Sequence, residues 1–440
     1  MNININWNFD NSYSKLPESF KENIKPIKVK KPELIIFNKS LASDLDLDFS
    51  NANEVELSKL FAGNELPKNS NSIAQAYAGH QFGHFTMLGD GRAVLIGEHL
   101  SQNKERYDIQ FKGSGKTTFS RNGDGRAALG PMLREYIISE SMYYLDIPTT
   151  RSLAVVKTGE DVIREVPLTG AILTRVASSH LRVGTFQYIA ARNKKDELEI
   201  LLNYVIKRHF PKILNSKNKA LELLRIVLEK QIDLVINWMR VGFIHGVMNT
   251  DNMSIPGETI DYGPCAFMDY YDPKTVFSSI DKMGRYAYCN QPVIAKWNLA
   301  RFAESLIPLI DVNQDKAIKA ATEIINSFET KYEEKWLNMM RNKLGLSGKD
   351  EKDKLLIIDL LTWMHVKKMD YTNTFCYLMG EEIQKNKNYE DKDFKNWKLS
   401  WNERLKTNNN SSKKYLELMK SINPLVIPRN HKVEEVLNAA

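Results

Sequence analysis

The sequence predicts an α+β fold of two lobes, the first rich in strands and the second helical. Two short apolar runs, Ala93–Ile96 and Tyr107–Phe111, lie among turn residues and are typical of strands. Later in the chain the apolar residues recur at helical spacing, most clearly from Ala220 to Arg240, and Gly242 predicts a cap there. We therefore expect an N-terminal extension at 1–70, a strand-rich lobe at 71–185 and a helical lobe at 186–440.

The elements within these regions follow from local composition. The extension is rich in Pro, Asn and Ser, which predicts an extended arm with few packed elements. In the strand-rich lobe, Pro131 opens a single helix that Pro148 ends. In the helical lobe we expect helices at Lys296–Leu309, Gln314–Lys331, Glu333–Lys343, Lys354–Lys367 and Tyr415–Ile422, and solvated loops at the Lys/Asn-rich segments Lys385–Lys398 and Lys406–Lys414.

Composition narrows the class of protein. The 440 residues are 42% hydrophobic and 26% charged, as in ordinary globular proteins, and the net charge is +7. This charge suits a small anionic ligand as well as nucleic acid, so it does not choose between them. Three cysteines without a C-x-x-C pair argue against a disulfide framework. Without an apolar leader or membrane span in the sequence, we expect a cytoplasmic protein whose partners include neither membranes nor nucleic acid.

The most informative segment runs from His245 to Gly263. Asn252 follows His245 by seven residues, and Asp261 opens an Asp-Tyr-Gly turn nine residues further on. Kinase-like enzymes place a metal-binding Asn and Asp at this spacing, after a long helix and a short strand. Oxygen ligands of this kind suit magnesium. The alternative is a polar loop whose Asp and Asn residues are unrelated.

One position departs from the kinase pattern. The catalytic Asp of a kinase should lie two residues after His245, where this chain has Val247. Valine can neither accept a proton nor orient a hydroxyl group, so the ordinary activating group is missing. Asp251, beside the expected metal ligand Asn252, is the nearest carboxylate that could replace it.

Three further patterns suit a phosphate ligand. Lys112 ends a predicted strand and Glu135 lies in the next helix, as in the Lys–Glu pair of kinase-like lobes. Two Gly-Asp-Gly-Arg turns, ending at Arg92 and Arg126, could bring backbone amides to phosphate oxygens. Arg175 and Arg182 lie where the lobes meet and could clamp a polyphosphate. The alternatives are surface ion pairs and ordinary hairpin turns; a P-loop fails because Gln110 stands at its first Gly.

These residues resemble the selenoprotein O (SelO, YdiU) family. The resemblance covers nearly the whole chain and is carried by several specific blocks, namely Phe9–Tyr13, Ala78–Gly83, Leu88–Arg92, Gln110–Gly115, Ser120–Ala127, Arg134–Tyr136, His245–Met253, Asp261–Pro264 and Gly284–Tyr286. It implies a protein-kinase-like fold with a strand-rich N-lobe and a helical C-lobe. Members of the family are known as pseudokinases that act as protein adenylyltransferases.

The resemblance also implies an activity. The family binds ATP inverted relative to ordinary kinases, so that AMP passes to a hydroxyl group of Ser, Thr or Tyr in a protein and pyrophosphate leaves. Bacterial members are also associated with UMP transfer from UTP. We therefore expect a protein nucleotidyltransferase with protein substrates, using Mg²⁺ or Mn²⁺ and ATP or UTP. The rival functions are a kinase that transfers the γ-phosphate and an inactive nucleotide-binding scaffold.

The resemblance assigns roles to single residues. Asp251 would accept the proton, Asn252 and Asp261 would bind the metal, and Glu135 would pair with Lys112. The residues that would contact the nucleotide are Gly89, Gly91, Arg92, Lys112, Asp124, Gly125, Arg175, Arg182 and Asp261. Family members usually continue beyond a stretch like 429–440 into a tail that often carries Cys or selenocysteine. Because the sequence ends at Ala440, the resemblance does not assign a redox role of such a tail to this chain.

Overall fold

The structure of the protein is a computed structural model, and it describes residues 5–383, 386–407 and 412–440. The strands within them are β1 (Lys21–Asn23), β2 (Glu33–Phe37), β3 (Ile73–Gln75), β4 (Ala78–Gln81), β5 (His84–Met87), β6 (Ala93–Leu100), β7 (Arg106–Lys112), β8 (Ala127–Ala128), β9 (Arg151–Ile163), β10 (Pro167–Ala177), β11 (Phe243–Ile244) and β12 (Ala266–Phe267). The helices are α1 (Lys39–Asp44), α2 (Glu54–Phe61), α3 (Leu129–Tyr144), α4 (Val183–Ala190), α5 (Lys195–His209), α6 (Lys219–Val241), α7 (Gln291–Ile310), α8 (Gln314–Lys343), α9 (Asp353–Val366), α10 (Tyr371–Leu378), α11 (Lys392–Lys406), α12 (Ser412–Ile422) and α13 (Asn430–Ala439).

The expected two-lobed α+β arrangement is confirmed: one large sheet precedes a helical region. The sheet has the order β1-β3-β6-β7-β10-β9-β2, and β8 pairs with β10. All of its paired strands run antiparallel. Both outer strands, β1 and β2, come from residues 1–70, so this segment completes the sheet and is more than an extended arm. The boundaries at 70 and 185 stay predictions.

The two faces of the sheet are covered by different helices. On β10, Ile172 belongs to the apolar cluster that includes Leu57 and Phe61 of α2. Its neighbour Leu173 points to the opposite face and packs in the cluster of α3 that contains Met132. This alternation places α3 against the face on which Lys112, paired in register with Leu173, also lies.

The helical lobe is built around α6. This helix packs against α7 and α8, and it ends at Gly242, whose left-handed φ of 73° provides the predicted cap. The short β11–β12 pair follows at once, with Phe243 opposite Phe267. The chain between β11 and β12 carries the segment from His245 to Gly263, so the core of the lobe fixes both ends of that segment. Among the described residues, no helix combines the length and apolar character needed to cross a membrane.

Three local expectations are wrong. Gln314–Lys331 and Glu333–Lys343 form the single helix α8, because the Tyr332 region contains no residue that would stop a helix. Part of the expected loop Lys385–Lys398 belongs to α11, in which Phe394, Trp397 and Trp401 are buried. These aromatic residues share one face of the helix, and the Lys and Asn residues between them obscured that spacing. The expected loop Lys406–Lys414 is also wrong at its two ends, since Lys406 ends α11 and Lys413 and Lys414 belong to α12. Residues 385 and 408–411, which the two expected loops include, lie outside the described residues.

Candidate active site

A cavity of about 270 Å³ lies between the two lobes. From the strand-rich side it is lined by Arg92, Lys112 and Arg175, and from the helical side by the segments around Asp251 and Asp261. The sheet explains the first set: Lys112 and Gln110 are two residues apart on β7, and Arg175 on β10 pairs with Gln110. All three side chains therefore lie on the face that α3 covers.

Lys112 forms an ion pair with Glu135 of α3. The Lys112 Nζ atom lies 2.5 Å from Glu135 Oε2, and both side chains are buried. Arg175 Nη1 contacts the other carboxylate oxygen of Glu135 at 3.2 Å. Burial lowers the pKa of Lys112, and the charges of Glu135 and Asp261 oppose this shift. Glu135 thus holds two cations at the wall of the cavity.

Asp261 is the meeting point of three cations. Its Oδ1 atom lies 3.0 Å from Lys112 Nζ and also accepts a hydrogen bond from Arg175, and its Oδ2 atom lies 2.5 Å from Arg182 Nη1. Burial would raise the pKa of Asp261, but the charges of Lys112 and both arginines outweigh it and hold the pKa well below its usual value. Asp261 also has a left-handed φ of 62°, which an Asp tolerates better than most residues. The carboxylate is therefore ionised and fixed in direction.

Asp251 has the opposite environment. It lies in a short 3-10 turn, Thr250–Asn252, and is 7% exposed. Among the described residues no group hydrogen-bonds to its Oδ1 atom, although Arg182 Nη1 donates to its backbone carbonyl at 2.6 Å. Burial raises the pKa of Asp251 to about 6, and the charge of Arg182 opposes this shift. A buried carboxylate oxygen without a partner is costly unless a ligand supplies one, and a pKa near neutrality suits a proton acceptor.

Asn252 and Asp261 offer oxygen atoms that suit a metal ion. The Asn252 amide nitrogen donates to the Val247 carbonyl at 2.9 Å, which leaves the amide oxygen for another partner. Within the part of the chain that the structure describes, no group of three or more His, Cys, Asp and Glu residues could hold a metal. Magnesium is commonly held by one or two carboxylates together with substrate phosphates and water. The donor set therefore fits a metal that arrives with a nucleotide.

The cavity does not contain every residue that the resemblance assigned to the nucleotide. Gly91 and Arg92 line it, whereas Gly89, Asp124 and Gly125 do not. Asp124 Oδ2 lies 2.9 Å from Arg164 Nη1 in an exposed pair, and this hydrogen bond lowers the pKa of Asp124. Gly125 has a left-handed φ of 68°, and a Cβ atom there would lie 2.1 Å from the Gly115 carbonyl oxygen.

Asp90 and Tyr77 are two cavity residues near Arg182 that were not expected from the sequence. Asp90 is 2% exposed, accepts hydrogen bonds from the Gln75 amide at 3.2 Å and from Gln110 Nε2 at 3.0 Å, and lies 4.0 Å from Arg182. Burial raises the pKa of Asp90 to about 6, against the charge of Arg182. The guanidinium group of Arg182 also stacks on the ring of Tyr77 at 4.6 Å. In the sequence, the only indication of a role for Asp90 is its place in the first Gly-Asp-Gly-Arg turn. The second turn, which contains Asp124, has the same four residues, so the sequence does not distinguish the two.

The fold and this site define a class: a two-lobed α+β protein whose interlobe cavity holds a buried Lys–Glu pair and two metal-binding candidates, with Val247 where a kinase has its catalytic Asp. The family model described as "Protein adenylyltransferase SelO" matches residues 3–440. The chain therefore belongs to the SelO family.

Several curated relatives are similar over almost the whole chain. A protein nucleotidyltransferase YdiU from Pelagibacter ubique is 68% identical over 438 residues, covering 100% of this chain and 91% of that protein. The protein of the same name from Nitrosococcus oceani is 58% identical, with 99% and 88% covered. One from Bacillus cereus is 56% identical, with 100% and 90% covered.

One solved structure is also similar. It is ROP2 from Toxoplasma gondii, described as a virulence factor with a protein-kinase fold and no enzymatic activity. The alignment covers 76% of this chain and 88% of that chain at 9% identity, with a TM-score of 0.26.

Proposed function

We propose that this protein transfers AMP from ATP to Ser, Thr or Tyr hydroxyl groups of proteins and releases pyrophosphate. The observation that carries the proposal is the buried carboxyl group of Asp251, which has an unpartnered Oδ1 atom and belongs to a residue lining the same cavity as Lys112, Arg175 and Arg182. This arrangement combines a proton acceptor with three cations that suit a polyphosphate. The names of the relatives support nucleotide transfer to proteins.

The proposed reaction needs one base, which takes the proton of the acceptor hydroxyl group, and one leaving group, pyrophosphate. The acceptor oxygen forms a bond to the α-phosphorus, and the bond from that phosphorus to the oxygen bridging the β-phosphate breaks. Pyrophosphate leaves with the electron pair, and the proton of the acceptor hydroxyl passes to Asp251. Arg92, Lys112, Arg175 and Arg182 neutralise negative charge on the phosphates as the leaving group forms.

The proposed metal ligands are Asn252 and Asp261. When bound, Mg²⁺ or Mn²⁺ would neutralise charge on the phosphate oxygens. The three cations around Asp261 keep its carboxylate ionised, so it needs no deprotonation before it binds a metal. Gly91 brings backbone close to the cavity, and we also assign nucleotide contacts to Gly89, Asp124 and Gly125 on the basis of the family resemblance.

UMP transfer from UTP is the second candidate. It is favoured by the broader name of the relatives, protein nucleotidyltransferase, which leaves the base open. Transfer of the γ-phosphate is disfavoured because Val247 occupies the position where a kinase has its catalytic Asp, and Val247 lines the cavity.

The test compares nucleotides labelled at different positions. Purified protein and a lysate are incubated with α-labelled ATP, α-labelled UTP or γ-labelled ATP in Mg²⁺ or Mn²⁺, and labelled proteins are identified by mass spectrometry. We expect label from the α-position, including self-modification, and a loss of at least about 100-fold in Asp251→Ala. Label from the γ-position alone would identify a kinase. Absence of any transfer with intact nucleotide binding would identify an inactive scaffold.

A further inference from the structure

A small hairpin of the strand-rich lobe reaches across to the segment that carries Asp251. Strands β4 and β5 pair with each other, Gly79 opposite Thr86 and His80 opposite Phe85. They form a two-stranded sheet separate from the large sheet. The family resemblance includes β4 and the turn that follows it, Ala78–Gly83, but neither the resemblance nor the proposed reaction gives the hairpin a role.

Backbone amides of the hairpin hold the residues that precede Asp251. The His80 N–H group donates to Thr250 Oγ1 at 2.7 Å, and the Phe82 N–H group donates to Asn249 Oδ1 at 3.1 Å. The Thr250 hydroxyl in turn donates to Gln187 Oε1 of α4 at 2.7 Å. Thr250 is fully buried. The turn is therefore fixed between the hairpin and α4 by buried hydrogen bonds, which are costly to break.

Gly79 lies directly against the Asp251 side chain. A Cβ atom at position 79 would lie 2.0 Å from Asp251 Oδ1 and 2.6 Å from its Cγ atom. Gly79 is not among the residues with a left-handed φ, so the backbone itself would accept Ala and only the space is missing. A second glycine, Gly184 at the start of α4, also leaves room for the hairpin, because a Cβ atom there would lie 1.9 Å from the Ala78 carbonyl oxygen.

We propose that Gly79 is a positioning residue for Asp251: its missing side chain leaves the space that the carboxyl group occupies, and hairpin β4–β5 thereby sets where that group points. The inference rests on the proposed function, in which Asp251 accepts the proton. A side chain at position 79 has to turn the carboxyl group away or push the hairpin off the turn. Either movement spoils the geometry of proton transfer, whereas the cations that bind the phosphates, Lys112 and Arg175, remain in place.

The test separates the transfer rate from nucleotide binding in the full-length protein. In Gly79→Ala, we expect the rate of self-modification from saturating α-labelled ATP to fall about 100-fold. The dissociation constant for ATP, measured by calorimetry with Mg²⁺, should change less than about threefold, because a loss of positioning acts on the rate and spares binding. The matched control is Gly130→Ala, since a Cβ there meets no atom within 4 Å; this variant should keep the wild-type rate.

A second variant decides the question if Gly79→Ala does not fold, as judged by circular dichroism. Thr250→Val keeps the shape of the side chain but removes the atom that accepts from His80, and the rate should fall about tenfold with ATP binding unchanged. A wild-type rate in Thr250→Val would then overturn the proposal.

The outcomes also distinguish this inference from the proposed function. A folded Gly79→Ala protein with a wild-type rate, while Asp251→Ala is inactive, would overturn the positioning role alone. A folded Gly79→Ala protein that loses rate and ATP binding together would show a structural role and would overturn it as well. An active Asp251→Ala protein would overturn the proposed function on which the inference rests.

Discussion

Lys112 Nζ and Asp261 Oδ1 lie 3.0 Å apart, although 149 positions separate the two residues in the chain. Lys112 ends a strand of the large sheet, and Asp261 lies in the helical lobe between β11 and β12. The pair therefore joins the two lobes across the cavity. Lys112 also contacts Glu135, so one cation is shared by two carboxylates from different lobes. The charge balance of the cavity depends on the lobes being closed on each other.

We expect Asp261→Asn to abolish transfer. The substitution removes the charge that Lys112, Arg175 and Arg182 surround, together with a proposed metal ligand. The rate of label transfer from α-labelled ATP should fall at least about 100-fold. The control is Asp233→Asn, whose carboxylate is 59% exposed in a pair with Lys335. A folded Asp261→Asn protein within tenfold of the wild-type rate would contradict the assignment.

Asp124→Ala tests a residue that the cavity does not include. The resemblance assigns Asp124 to the nucleotide, whereas in the structure it pairs with Arg164 at the surface. An exposed pair contributes only about 0–1 kcal/mol, so a bound nucleotide can compete for Asp124. We expect Asp124→Ala to raise the KM for ATP about tenfold, which is about 1.4 kcal/mol. Arg164→Ala should leave the KM for ATP within about twofold of the wild-type value. If both substitutions raised the KM equally, the effect would come from loss of the Asp124–Arg164 ion pair and not from a nucleotide contact of Asp124.

The buried pair of Asp108 and Arg208 should make stability depend on pH. Arg208 Nη2 lies 2.7 Å from Asp108 Oδ1, and the His180 amide donates to Oδ2 at 2.8 Å. Burial raises the pKa of Asp108, but the charge of Arg208 and the hydrogen bonds from His180 outweigh it and hold the pKa well below its usual value. The native state then binds fewer protons than the unfolded state, whose Asp has a pKa of about 3.9.

The free energy of unfolding of Asp108→Asn should therefore be lower than that of the wild-type protein above pH 5, and the difference should become smaller below about pH 4. Breaking a buried pair on one side costs about 3–5 kcal/mol, which is the expected drop in the free energy of unfolding at pH 7. Urea unfolding of both proteins between pH 3 and pH 7 measures it. A difference that stays constant over this range would contradict the depressed pKa of Asp108.

Trp401→Ala should strongly destabilise the helical lobe. Trp401 is 4% exposed, and its Nε1–H group donates to the Leu344 carbonyl at 2.9 Å. Removal of a buried Trp costs about 3–5 kcal/mol. Leu399 in the same helix is 63% exposed, and Leu399→Ala should change the free energy of unfolding by less than about 0.5 kcal/mol. Urea unfolding compares the two; equal effects would contradict the packing of α11.

A helix with a long and regular spacing of apolar residues could be predicted from the sequence. A helix in which a few aromatic residues lie among many Lys and Asn residues could not. Helix α6 and its cap at Gly242 follow from a sustained apolar period and a glycine at its end. The sequence predicts a loop for the first part of α11, residues 392–398, because Lys and Asn outnumber the aromatic residues there. The pattern records which residues are apolar, whereas the partners that bury Trp397 and Trp401 come from distant parts of the chain.

The family, the two-lobed fold and the motifs of the candidate site could all be predicted from the amino-acid sequence. Motifs such as His245–Met253 are continuous stretches of sequence and can be identified without a structure. The side-chain oxygen atoms of Asn252 and Asp261 are of the kind that suits a metal ion. Only the tertiary structure separated the two Gly-Asp-Gly-Arg turns, burying Asp90 beside Arg182 and leaving Asp124 at the surface. It also decided that Gly79 touches the Asp251 carboxyl group, because contacts between residues 172 positions apart depend on how the lobes pack and leave no local periodicity.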